Sequence, residues 1–570
     1  MSAVERKRAC PITWAAIVAA AVGFGLAGCP RPAPIAPPPP LAREAYAHYL
    51  NGKLAGYQGN WEAAADALAE AAAAAPDQPM VAVELARAQL KAKRTAAALA
   101  TLATARARWP DHPQVWLVSG DQLAAGDAAA ASAAYLRAIR LSPDDERAYL
   151  GLAKLQRDAA AETTLRILIS HVPASVDGHY GLAVRLAMRG ELAQSAQELR
   201  AVLERDPDHI DARLDLARAL RRQGHLDQAI AETRSAFDRS GQALDIAEEL
   251  FWLLCEADDR AAVIDLLTLL DDDRSDAEAL AAIARLDRGL GRIAEARAIA
   301  HRLAAIDHDA GALALAEIQL ATGDRAAVQA TLAMVGGDAK LADAAHRLVA
   351  QAALEAGEPA AALAALAALS ASATSGPGTQ RSIASALLVS FALADLGKRS
   401  AASAVLAGFG TAADPQDRIA ATLARARLAE RTGDIPGALA LLEPLIRATP
   451  DLVAALNLAG YLLADTRQRL GDAERYLRHA RELAPGDPAI LDSWGWLLLR
   501  RGEPRAAVRA LDRAARFAPL EPEILVHLAA AWAADGAPRT AAQTLDRATA
   551  LGPTPAMQKR IAAVRQTLPR

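Results

Sequence analysis

Apolar residues recur every three or four positions in runs of about a dozen, the period of a helix that buries one face. Residues 488–521 show one such unit. Leu491, Trp494, Leu498 and Leu499 share a side of a helix predicted from about Ala489 to Arg501. Gly502 follows two arginines there, and a helix C-terminus favours both positive charge and a residue able to adopt left-handed geometry. A second helix is predicted from Pro504, because a first-turn proline lacks only an amide the helix does not need. Ala507, Leu511 and Ala514 make its inward stripe. Pro519 ends it, having no donor and clashing with a continuing turn.

Closing prolines recur at Pro76, Pro110, Pro143, Pro173 and Pro207, then at Pro450, Pro485, Pro519 and Pro553. Their spacings are 34, 33, 30 and 34 residues in the first series and 35, 34 and 34 in the second. A fixed period of this length predicts stacked helical hairpins, each contacting its neighbours, in place of one compact core. Between residues 242 and 410 the closing proline is missing, and the phase persists as Gly291, Gly323, Gly357 and Gly397, each followed by a charged residue. Ser372–Thr379, with Gly376-Pro377-Gly378 inside it, is the expected break.

These units resemble the tetratricopeptide repeat. That family places a small residue, a leucine or aromatic, a second small residue and a proline where this chain has Ala507, Leu511, Ala514 and Pro519. Gly495 and Gly502 match its two glycine positions, and the next unit repeats the set as Gly536, Ala541, Leu545, Ala548 and Pro553. Gly59, Trp61, Ala64, Leu68, Ala71 and Pro76 fit near the other end. Leu216, Ala217, Gly224, Ala229 and Ala236 fit too, with Gly241 in place of the proline. The resemblance implies an all-α fold, a right-handed superhelical solenoid of antiparallel helix pairs with about 14–15 repeats. It assigns residues 43–241 to an N-terminal array, 242–416 to degenerate repeats, 417–553 to a C-terminal array and 554–570 to a capping helix.

The first 42 residues read differently. Arg6, Lys7 and Arg8 precede an apolar run from Ile12 to Leu26, the layout of a signal peptide and short for a membrane span. Leu26-Ala27-Gly28-Cys29 resembles a bacterial lipobox, which implies cleavage after residue 28, lipidation of Cys29 and a Pro-rich tether at 29–42. Several acyl chains would anchor the chain firmly to a bilayer. Position 30 is proline, where an aspartate would retain the protein in the inner membrane of enteric bacteria, so the expected address is the outer membrane, facing the periplasm. With Cys10 removed, Cys255 has no partner for a disulfide. Gly23-x-Gly25-x-x-Gly28 spells a dinucleotide fingerprint but lacks the strand and helix that give it meaning.

Composition sharpens this picture. Hydrophobic residues are 53% of the 570 but aromatics only 4%, so apolar content is mostly alanine and leucine, the strongest helix formers. With 63 basic and 67 acidic residues the net charge is -4, which argues against a nucleic-acid partner. The eleven histidines lack metal-ligand spacing, and no phosphate loop or Gly-x-Ser-x-Gly turn occurs. Asp271-Asp272-Asp273-Arg274-Ser275-Asp276 lacks the central glycine and closing glutamate of a calcium loop. Repeats fill the chain after the tether, so neither an enzyme, a cofactor nor a small-molecule substrate is expected.

The family resemblance places partner proteins or peptides in the concave groove lined by each first helix. Two faces follow from that register. Lys154, Arg157, Arg218, Arg221 and Arg222 would attract an acidic segment or a terminal carboxylate. Asn457, Tyr461, Asp492 and Trp496 would hold an extended peptide, the asparagine through its paired donor and acceptor and the aromatics as rigid anchors. Trp494 is expected to pack between helices, and Trp496 is left open between packing and display. The resulting expectation is a non-catalytic, envelope-anchored lipoprotein that scaffolds an outer-membrane or cell-envelope machine for secretion, pilus assembly or polysaccharide export. The alternative is a periplasmic, chaperone-like holder of extended clients.

Overall fold

The computed structural model describes residues 40–569 apart from 272–275, 334, 336–338, 373–381 and 412–413. The signal-peptide segment 1–28, Cys29, nearly all of the tether, most of the aspartate-rich turn at 271–276 and nearly all of the Ser372–Thr379 break lie outside the described residues. Among those described are 31 α-helices, one short 3-10 turn at Gly408–Thr411 and no strand. The chain is an all-α repeat solenoid.

Two compact units divide it, Met1–Arg239 and Ser240–Arg570. Described helices of the first pair into six hairpins, from Arg43–Tyr57 with Trp61–Ala74 to Ile210–Arg222 with Leu226–Arg239. The second holds nine hairpins, from Leu244–Glu256 with Arg260–Asp271 to Pro522–Ala534 with Pro538–Ala550, and a last single helix, Pro555–Gln566. The hairpins continue where the repeat signature fades, as in Ala277–Gly289 with Ile293–Ile306 and Ile383–Asp395 with Arg399–Ala407.

Each hairpin follows from local chemistry. Pro488–Arg500 and Pro504–Phe517 lie within a residue of their expected starts, and Asp487 caps the first by accepting from Ala489 N at 2.8 Å. Gly502 turns the chain at φ +83°, a conformation that costs side-chain-bearing residues free energy. Ala507, Leu511 and Ala514 are each 0% exposed. Small residues at the crossing let paired helices approach closely. At Gly495 a Cβ would sit 2.5 Å from Leu511 Cγ, so only hydrogen fits. The last helix lays Ile561 and Met557 against the final hairpin and covers its apolar end.

Candidate interaction faces

Four first-position helices of the second unit, Val453–Asp465, Pro488–Arg500, Pro522–Ala534 and Pro555–Gln566, share a row of polar and aromatic groups. Tyr461 donates to Glu523 Oε1 at 3.0 Å, and Arg560 Nη1 donates to the same oxygen at 2.7 Å. His527, fully buried, stacks on Trp496 with centroids 4.0 Å apart. Its Nε2 lies 2.8 Å from Arg560 Nη2. Arginine has donors only, so Nε2 accepts, and the ring's proton sits on Nδ1, 2.9 Å from Asp492 Oδ1. Trp496 Nε1 and Arg500 Nη2 both donate to Asp465 Oδ1 at 3.0 Å. Burial opposes ionisation of Asp465, but the bonds from Arg500 and Trp496 overcome it and hold the carboxyl below its ordinary value. Burial, reinforced by Glu523, pushes the Tyr461 phenol upward.

The network places the expected residues unevenly. Asp492 and Trp496 are 7% and 8% exposed, engaged with His527, Asp465 and the Arg500 guanidinium 4.3 Å over the indole. They stiffen the row and do not stand out as free anchors. Trp494, expected inside, is half-buried under Arg481 at 4.4 Å. Trp494 still packs against the apolar clusters on both sides of its helix, as expected, and Trp496, left open by the sequence, is the more deeply covered of the two. Asn457 differs from both. Its Oδ1 is buried and accepts no hydrogen bond among the described residues. It lies one turn before Tyr461 on the same helix.

Sequence reasoning missed His527, Glu523, Arg560 and Asp465. A signal existed for the first, since Ile524-Leu525-Val526-His527-Leu528 sets a titratable side chain inside an apolar run. The others look like ordinary solvated charges until the repeats stack.

In the first unit, Lys154, Arg157, Arg218 and Arg222 are exposed and Arg221 is half-buried. Arg218 pairs with Asp215 on its own helix at 3.0 Å, and Tyr180 donates to that aspartate at 3.1 Å. Lys154 lies on Glu146–Leu155, Arg157 just beyond it, and the other three on Ile210–Arg222. Val176–Met188, the first helix of the intervening repeat, stands between these groups. The five cations form two patches, the second already partly neutralised.

Elsewhere, Arg43–Tyr57 exposes Tyr46, Leu50, Leu54 and Tyr57 along one side. No group of three or more His, Cys, Asp or Glu among the described residues is arranged to hold a metal ion. No helix among them is long and apolar enough to cross a membrane. Cys255 is a buried free cysteine.

Family models of the tetratricopeptide repeat match residues 57–119 and 186–243 in one form, and 154–210, 423–488 and 493–554 in another. This is a tetratricopeptide repeat protein. The repeat fold is typically a non-catalytic scaffold that binds peptides or proteins in its groove. The TPR repeat-containing protein PA4667 of Pseudomonas aeruginosa is 42% identical over 87 residues, and the match spans 15% of each chain. Among solved structures, a chain of the APC/C hetero-tetramer Cut9-Hcn1 is similar at 13% identity and TM-score 0.29, over 92% of this chain and 96% of that one. A structure of Pseudomonas aeruginosa pilF is similar at 17% identity and TM-score 0.31, over 36% and 96%.

Proposed function

We propose that this tetratricopeptide repeat protein is an envelope-anchored scaffold, lipidated at Cys29 and held at the outer membrane facing the periplasm. There it recruits a partner polypeptide to assemble a secretion, pilus or polysaccharide-export machine. It works by contact alone. Asn457 carries the reading: a buried amide oxygen without a partner costs folding free energy unless something supplies a donor. A main-chain N–H of an extended peptide is such a donor, and the stiff row from Tyr461 to Arg560 lies alongside. Lys154, Arg157, Arg218, Arg221 and Arg222 supply positive charge for an acidic stretch of the same or a second partner.

Two measurements test the two halves of the reading. Labelled palmitate should enter the wild-type chain and be lost in Cys29→Ser, with the variant leaving the membrane fraction. Label retained in Cys29→Ser removes the anchor. Detergent-extracted wild-type protein should retain a defined envelope polypeptide that Asn457→Ala releases. Equal recovery by both removes the groove.

A further inference from the structure

We propose that the second unit closes on itself through a clasp between hairpin turns far apart in sequence, and that this clasp gates access to its first-helix row. Arg513, on Pro504–Phe517, donates to the carbonyls of Cys255 and Glu256 at 2.8 and 2.6 Å. Those carbonyls belong to the last turn of Leu244–Glu256, the negative end of the helix dipole, where Cys255 O also accepts from Asp258 N at 3.1 Å. Arg260 returns the arrangement, donating to the Arg516 carbonyl in the last turn of Pro504–Phe517 and to Leu290 O at 2.9 Å. Arg516 pairs with Asp258 at 2.5 Å, and Arg325 donates to the Gly552 carbonyl. Arg513 thus caps the end of Leu244–Glu256, and Arg260, the first residue of the next helix Arg260–Asp271, caps the end of Pro504–Phe517, each across more than 250 residues.

Close backbone approach marks the same seam. A Cβ at Gly486 would lie 2.8 Å from Trp252 O and 2.9 Å from Glu256 N. Gly486 is not among the positive-φ residues, so the facing turn, and not its own torsion, excludes a side chain. At Gly323 a Cβ would lie 2.6 Å from Leu551 O. A cavity of about 420 Å³ lies behind the seam, walled by Arg288, Glu317 and Glu355 on one side and Glu521, Glu523 and Thr554 on the other. Glu523 is the carboxylate that holds Tyr461 and Arg560, so the clasp brings a second wall over the row.

The gating consequence rests on the groove reading; the clasp does not. Cys255 reports on it directly, being 0% exposed, with burial pushing its thiol up to about 12 and leaving it protonated and slow to react. In the full chain carrying Cys10→Ser and Cys29→Ser, an aromatic disulfide reagent should modify Cys255 slowly. Arg513→Ala and Gly486→Ala should each speed modification about tenfold or more with helical circular dichroism unchanged, the scale of one lost charged hydrogen bond. Arg516→Asp should do the same, and adding Asp258→Arg should restore the slow rate. Unchanged rates in both Arg513→Ala and Gly486→Ala would overturn the clasp.

For the gate, the probe is a 5-kDa polyethylene glycol maleimide in a chain with Cys10→Ser, Cys29→Ser, Cys255→Ala and Asn457→Cys. Arg513→Ala should speed modification at position 457 about tenfold, matching the opening of one charged hydrogen bond. An unchanged rate there overturns the gate even where the clasp stands. No partner is needed in either assay, so failure of the scaffold reading leaves both results interpretable.

Discussion

Asp287 shows how one residue can set the pH response of a repeat. It is 2% exposed, with Arg292 Nη1 3.2 Å away but no hydrogen bond to its Oδ1. Burial pushes its carboxyl up to about 6, against the pull of Arg292 and with the help of Glu295 and Asp271. The folded chain therefore binds this proton more tightly than the unfolded chain between pH 4 and 6. Stability falls as pH rises through that window and is flat above it. The interval corresponds to roughly 3 kcal/mol at most. Asp287→Asn is expected to raise stability at pH 7 by about 1–3 kcal/mol and to flatten the slope, read from urea midpoints at pH 4.5 and 7.5. Little of this was legible beforehand, because Asp287 sits in a run that reads as a solvated helix end. Trp496 teaches the same lesson: its spacing left packing and display both open, and only the neighbouring repeats decide that it is covered.

Elements were far more legible than individual contacts. Proline spacing and turn glycines located the hairpins because each is a backbone requirement that a neighbour cannot override. Gly291, Gly323, Gly357 and Gly397 all turn the chain at positive φ, even where the rest of the repeat signature is missing. Where glycine is absent, Lys93 takes the same left-handed turn at φ +60°. Lys93→Gly should stabilise the first unit by about 0.5–1 kcal/mol, seen as a raised Tm, because left-handed geometry costs a residue with a Cβ. The close-packed glycines should respond the other way. Gly495→Ala drives a methyl to 2.5 Å from Leu511 Cγ and is expected to cost about 1–3 kcal/mol, read as a lower urea midpoint. Gly460 meets Leu477 at 2.4 Å, so Gly460→Ala should behave alike.

For the molecule as a whole, the repeating unit was legible and the long-range arrangement was not. A 34-residue period specifies what each hairpin packs against next, but not that turns over 250 residues apart in the second unit would meet. That closure depends on small per-repeat rotations that leave no local signature. The row from Tyr461 to Arg560 has the same origin, assembled from residues one and two repeats apart. In the proposed function the row holds Asn457 and its neighbours rigid for a partner, and rigid presentation lowers the entropy lost on binding. Site-specific photo-crosslinking in intact cells addresses this most directly. A photoreactive residue replacing Asn457 is compared with one replacing Arg509, an exposed position on the second helix Pro504–Phe517. The proposed groove predicts one discrete envelope polypeptide captured at 457 and absent at 509. Equal capture at both positions, or capture at 509 alone, would contradict it.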